Sequence, residues 1–253
     1  MVRRLYHSIK ILLGFIYNVY ALACAGIFII LLSPFALIAL IGNTDYGVNI
    51  FYIICRYFAR FWLFVIGVRY MEIYSKTTME ASRQQFIYIA NHRSYIDIVM
   101  MLACMKTAYR PLGKQEMAQI PLFGYFYKRL LITIDRSNLM SRSKGFTFLS
   151  RMLERGLSVF IFPEGTFNES EGALKEFYNG PFKLALKSGI KLKPMLFLDD
   201  LKRMHYRNIF TITPGVCRVL FLEEVEVGKY NGDDLAGLKR DVINRMLQGM
   251  EFA

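Results

Sequence analysis

From Ile11 to Thr44 the chain runs for 34 residues without an Asp, Glu, Lys or Arg, and Arg3, Arg4 and Lys10 stand just before that run. A straight helix of this length measures about 50 Å, whereas the hydrocarbon core of a bilayer is about 30 Å thick. Ser33 and Pro34 interrupt the run, and a proline inside a helix removes a backbone donor and crowds the preceding turn. The segment therefore reads as a steeply tilted membrane span or as two short helices forming a re-entrant hairpin. The basic residues ahead of it predict a cytoplasmic N-terminus. "ALAC" at 21–24 resembles a cleavage site, but "AGIFIILL" continues the apolar run where a mature chain turns polar, so an uncleaved anchor is expected.

A second apolar stretch, "FYIICRYFARFWLFVIGVRY" at 51–70, carries Arg56, Arg60 and Arg69. Arg56 and Arg60 share a helical stripe among aromatics, which suits a helix lying in the headgroup layer. A core helix packed on a soluble domain shows the same amphipathicity, so both readings stand. The composition turns polar in "EIYSKTTMEASRQQ" at 72–85. This sets the expected organisation: membrane-binding helices over 1–75 and one α/β domain over 76–253.

Within 76–253 short apolar runs alternate with longer helical patterns, which predicts a mostly parallel or mixed central sheet flanked by helices. Strands are expected at 86–90, 131–135, 158–162 and 192–198. Helices are expected at 95–105, 142–153 and 180–189, the last with Pro181 in its first turn and Gly189 at its end. "NIFTITPGVCRVLFLEE" at 208–224 reads as two strands joined through Pro214 and Gly215, and 233–250 reads as an amphipathic helix capped by Asp233 or Asp234.

Four cysteines, Cys24, Cys55, Cys104 and Cys217, lie far apart, a pattern of neither a zinc site nor a disulfide framework. A formal charge of +12 on a chain that is 54% apolar calls for an anionic partner. Residues 1–75 hold six Lys/Arg and two Asp/Glu, net +4, which leaves +8 on the remainder. A basic face of that size suits an acidic carrier protein or an anionic membrane. The aromatics, 15% of residues, fall mostly inside apolar runs and form no nucleic-acid module, so nucleic acid is not the expected partner.

In an open α/β sheet ligands collect beyond the carboxyl ends of the strands. "NHRSYID" at 91–97 begins at such an end. Positions five apart lie about 140° apart on one helix, so His92 and Asp97 cannot share a helix face. A strand–loop–helix turn can join them, letting Asp97 orient a His92 general base. The same stretch also fits a helix cap, Ser94-x-x-Asp97, with His92 a satisfied loop residue. A second strand end, "FIFPEGTFNES", brings Glu164, Gly165 and Thr166, and a third, "ITIDRSN", brings Arg136, a donor fork suited to phosphate or carboxylate.

In order and spacing, "NHRSYID", "ITIDR", "FPEGT" and "KPMLF" resemble four motifs of the 1-acylglycerol-3-phosphate O-acyltransferases of the glycerolipid acyltransferase superfamily. The resemblance covers roughly 80–225 and implies acyl transfer from an acyl carrier protein or coenzyme A thioester to a lysolipid hydroxyl, yielding phosphatidic acid. It implies His92 as general base, Asp97 as its orienting carboxylate, Arg136 on the acceptor phosphate and the Glu164–Thr166 loop against the acceptor. No metal or resident cofactor is implied, the thioester being a co-substrate, and the site would sit on the cytoplasmic face of the inner cell membrane. One departure stands out: Phe167 and Asn168 follow Thr166 where the family pattern has Arg-Ser. Lys114 and Arg93 could supply the missing charge, or remain solvated surface charges. Alternatively the acceptor lacks a phosphate, as in a lyso-glycine or lyso-ornithine lipid.

A non-enzymatic, membrane-tethered basic binding protein is the competing class. A metal-dependent hydrolase fails on ligands, since His7 and His205 have no partners at metal spacing. An acyl hydrolase using the same base differs only in the acceptor, water.

Overall fold

The computed structural model describes residues 2–41, 44–75, 84–119, 123–135, 138–230 and 234–252. Two helices come first, α1 (Val2–Ile41) and α2 (Asp45–Val65), followed by the strand β1 (Val68–Tyr74). The rest alternates: β2 (Ile87–Ala90), α3 (Ile96–Cys104), β3 (Tyr109–Lys114), α4 (Phe123–Leu130), β4 (Ile132–Ile134), α5 (Leu139–Glu154) and β5 (Ser158–Ile161). Then come α6 (Gly180–Ser188), β6 (Leu192–Leu198), α7 (Asp200–Arg203), β7 (Gly215–Phe221) and α8 (Leu235–Glu251).

The seven strands form one sheet in the order β1-β7-β6-β2-β5-β3-β4. Every neighbouring pair is parallel except β6 and β7. This is the mixed sheet the alternating pattern predicts. β2 is buried along its whole length, as a central parallel strand covered on both faces must be, and "IYIA" is accordingly all apolar. Its carboxyl end lies beside those of β5 and β6, with Ile89 opposite Ile161 and Ala90 opposite Met195.

The first apolar run forms one continuous helix, not two short ones. Pro34 cannot donate to the Ile30 carbonyl one turn back, and Ser33 Oγ donates to that oxygen instead at 2.8 Å. α1 and α2 run antiparallel, so these two helices make a hairpin. Tyr17 OH donates to Ile66 O at 2.5 Å, Trp62 Nε1 donates to Ala21 O at 3.0 Å, and Ala36 packs with Phe51 and Cys55. Both helices are long and apolar enough to cross a membrane. The outer surface of α1 is a ridge of exposed Leu, Ile and Phe, among them Leu12, Phe15, Ile29, Ile30 and Ile38, the surface of a membrane-associated helix.

Of the two readings of 51–70, the packing shows the core helix, with one face of α2 left exposed. α2 buries Val48, Tyr52, Ala59, Trp62 and Leu63 in the core while Ile53, Tyr57, Phe61 and Phe64 stay exposed. Arg60 turns inward, donating to Ala103 O at 2.8 Å and pairing with Glu72. The helix stops before 70 because Gly67, at φ +69°, reverses the backbone, and β1 follows. The 1–75 segment therefore also supplies an edge strand of the sheet.

One further expectation changes, and one strand, β3, lies outside those expected. Residues 208–213 do not form a strand: Ile209–Thr211 is a 3-10 turn, and β7 pairs antiparallel with β6. β3 contains Pro111, whose missing donor argues against a strand from sequence, yet Pro111 pairs in register with Phe160. At the end of the chain Asp234 caps α8, accepting from Gly237 N at 2.9 Å, while Asp233 lies outside the described residues.

Candidate active site

Three chain segments leave the adjacent carboxyl ends of β2, β5 and β6 and meet there. Asn91 ties the first to the third. Its side chain donates to Phe197 O at 3.0 Å and accepts from Phe197 N at 2.8 Å, so the backbone leaving β2 is clamped to β6 before His92 begins.

His92 Nδ1 lies 2.9 Å from Asp97 Oδ2. The same oxygen accepts from Arg93 N at 2.8 Å and Ser94 N at 2.9 Å. The helix-cap and dyad readings of 91–97 thus describe one carboxylate, which reaches back to the Ser94 amide as a capping residue does and also receives the imidazole. Asp97 is fully buried, and burial raises its pKa, opposed by those two amide hydrogen bonds. A proton on Nδ1, donated to Asp97, leaves the imidazole lone pair on Nε2. Phe162 stacks on the ring at a centroid distance of 3.9 Å, and Phe167 approaches it at 4.4 Å. Phe167 also meets Tyr95 edge-on at 4.8 Å, so an aromatic wall stands beside the imidazole.

Glu164 has a different place from that expected of an acceptor-binding group. It is 1% exposed, and both carboxylate oxygens are taken by backbone: Oε1 accepts from His92 N at 3.0 Å, Oε2 from Lys175 N at 3.3 Å. Burial raises its pKa to about 7, partly offset by these amides. Its work is to pin the loop after β5 to the loop after β2, and Asn168 N donating to His92 O at 2.7 Å adds a second pin. Gly165 adopts φ +80°, which turns the loop toward solvent. Thr166 is exposed and accepts from Lys175 Nζ at 2.8 Å.

Arg93 is half-buried, and its positive charge opposes the burial-driven rise at Asp97, Glu164 and Asp200. Lys114 ends β3, two strands from β2, and its exposed ammonium pairs with Glu116 at 3.3 Å. Arg136 lies outside the described residues; β4, which precedes it, is the far edge strand, separated from β5 by β3.

Sequence reasoning met Phe167 only as a departure from a motif, and missed Lys175, Phe162 and Asp200. The last was within reach: a strand was expected to end at 198, which puts "DD" at a carboxyl edge. Lys175 carried no signal, because only the folded loop returns it to Thr166.

Residues 71–198 match the family model described as Acyltransferase. A protein of Haemophilus influenzae (strain Rd) named 1-acyl-sn-glycerol-3-phosphate acyltransferase is 26% identical over 204 residues, 79% of this chain and 82% of that one. The protein of the same name from Escherichia coli (strain K12) is 28% identical over 168 residues, 64% and 66% of the two chains. One from Cocos nucifera is 33% identical over 160 residues, 62% of this chain and 51% of that one, so this chain spans about half of that relative. The crystal structure of the 1-acyl-sn-glycerophosphate (LPA) acyltransferase PlsC from Thermotoga maritima shares the fold, with a TM-score of 0.74 over 95% of this chain and 97% of that one at 19% identity. With just over half its length matching the family model, this chain belongs to the acyltransferase family.

Proposed function

We propose that the protein moves a fatty acyl group from a thioester of coenzyme A or acyl carrier protein to the free hydroxyl of 1-acylglycerol-3-phosphate, giving phosphatidic acid. The observation that carries this reading is the 2.9 Å His92–Asp97 pair at the carboxyl end of β2 in a chain of the acyltransferase family. The acceptor is supported by the names of the relatives.

In this reading His92 Nε2 takes the proton of the lysolipid hydroxyl as its oxygen bonds to the thioester carbonyl carbon. The tetrahedral intermediate collapses, the C–S bond breaks, and the leaving thiolate takes the proton back from Nε2. Asp97 keeps the ring oriented and stabilises the imidazolium between these steps. The thioester is a co-substrate, and no resident cofactor is needed. We assign the acceptor phosphate to Arg136, with Lys175 standing in the loop where Phe167 replaces the family's arginine, and Lys114 at the neighbouring strand end. Gly165 and Thr166 form the approach to the site. The apolar surface of α1 lets a lysolipid arrive laterally, and Arg3, Arg4 and Lys10 favour the cytoplasmic face of the inner membrane, where carrier and thioester are found.

Phe167, an aromatic in place of a cation, also favours acceptors without a phosphate, so the deciding assay carries both. Purified protein in detergent is offered both thioesters with lysophosphatidic acid or a lyso-aminolipid, beside His92→Ala, and products are read by mass spectrometry. Phosphatidic acid is expected from wild type, with a loss of about two to four orders of magnitude in the variant. Acylation of the aminolipid alone keeps the chemistry and changes the acceptor. No acylation by folded wild type sinks the reading and leaves a binding protein.

A further inference from the structure

Asp97 uses its two oxygens unequally. Oδ2 takes three hydrogen bonds, from His92 Nδ1, Arg93 N and Ser94 N, while Oδ1 is buried with no conventional donor among the described residues. An unsatisfied buried acceptor on a residue that positions a general base is costly and needs an explanation.

Asp200, the first residue of α7, supplies one. It follows the carboxyl end of β6, is 4% exposed, and its Oδ1 accepts from Leu201 N at 2.8 Å. Its Oδ2 is also buried and without a conventional partner among the described residues. α7 packs on α3, and the Asp200 and Asp97 carboxyls lie within hydrogen-bonding reach of each other. Two carboxylates cannot both stay charged in such a place, and a bond between them exists only if one oxygen keeps a proton. Three donors stabilise a negative charge on Asp97 and one stabilises it on Asp200, so the proton belongs to Asp200.

We infer that Asp200 is a positioning residue of the active site, a neutral carboxylic acid whose Oδ2–H donates to Asp97 Oδ1 and holds Asp97 as the anion that orients His92. Proton, carboxylate and imidazole then form a line, Asp200–Asp97–His92, with α7 as its outer support. The inference rests on the dyad reading above and adds a residue to it. Burial first, and the Asp97 charge second, raise Asp200 well above an ordinary aspartate. Among the described residues, the other titratable groups facing the pair are Arg93, which opposes that shift, Glu164 beside Asp97, and the buried Cys217 thiol of β7. Asp199 next door is committed elsewhere, accepting from Arg218 Nε at 2.7 Å. The same short helix is fastened to the dyad loop by Met204, whose N–H donates to Asp200 O at 2.8 Å and whose carbonyl accepts from Ser94 Oγ.

The test compares full-length wild type, Asp200→Asn, Asp200→Leu and His92→Ala in detergent. It reads kcat, KM and the pH–rate profile, together with the NMR titration of His92 in histidine-labelled protein, whose three histidines allow assignment. Asp200→Leu leaves Asp97 Oδ1 bare and is expected to lower kcat about ten- to hundredfold with little change in KM. His92 then titrates at lower pH, because a proton moves onto Asp97 and the imidazolium loses its counter-ion. Asp200→Asn still donates to Oδ1 through its amide, so it should exceed Asp200→Leu by about tenfold and lose the alkaline decline that ionisation of Asp200 gives wild type. If Asp200→Leu does not fold, the alkaline limb of Asp200→Asn decides alone, and a limb identical to wild type overturns the inference. Wild-type kcat and His92 titration in a folded Asp200→Leu overturn it as well. Full activity in His92→Ala would instead remove the dyad reading itself.

Discussion

The imidazole of His92 is held by a carboxylate at one edge, which fixes its orientation and balances its charge, and by phenyl rings that act on its orientation alone. Phe167 is the neighbour most open to change. Phe167→Ala removes an aromatic pair of about 1 kcal/mol, and kcat is expected to fall about fivefold as the ring gains freedom, measured beside an unchanged thermal transition. Glu164 makes a prediction about pH. Its pKa rises from 4.5 to about 7 in the folded chain, so folding favours its neutral form. The stability that this group contributes is full below about pH 4.5 and is lost as pH rises to about 7, a change of about 3 kcal/mol. Glu164→Gln should therefore show a flatter dependence of unfolding free energy on pH over that window, followed by urea denaturation. An unchanged slope would mean the carboxyl ionises freely.

At the scale of elements, the decisive join is between α1 and the turn before β7. Asn18 is a buried amide in an otherwise apolar helix, and it makes a two-way clasp. Its Oδ1 accepts from Ile212 N at 2.7 Å and its Nδ2 donates to Ile212 O at 3.2 Å. Asn18→Leu strands both backbone groups of a fully buried residue, and the expected cost is about 1–3 kcal/mol in unfolding free energy, read by thermal or denaturant melting in detergent. The residue before α7 is Asp199 and the turn that follows α7 ends at Ile212, so the segment between them touches the dyad at one end and the membrane helix at the other. An Asn18→Leu protein of wild-type stability would show that α1 docks by apolar contact alone.

For the whole molecule, the anchor and the domain are parts of one core. Tyr17, Leu22 and Phe28 of α1 pack on the cluster that contains Trp62, Tyr88 and Met100. Deleting residues 1–41 is therefore expected to do two things: abolish recovery in the membrane fraction and expose the covered face of α2, lowering the melting temperature or causing aggregation. A soluble truncation with full activity and an unshifted melt would contradict this account of α1.

Local pattern was enough to place His92 and Asp97 next to a strand end. His92 follows an apolar run too short for anything but a strand, and Asp97 is near enough along the chain for a tight turn to bring it back. The parallel core strands were legible for the same reason, since strands buried on both faces must be continuously apolar. Edge strands were not: β1 is hidden in the tail of an aromatic helix, and β3 carries a proline that local rules count against a strand. Tertiary structure alone decided the long-range pairings. Glu164 read as a polar loop tip but spends both oxygens on the His92 and Lys175 amides, and Asp200 meets Asp97 only because β6 lies beside β2. Such partners are set by strand order, a property of the whole sheet, and no local stretch of the chain encodes which strand ends become neighbours.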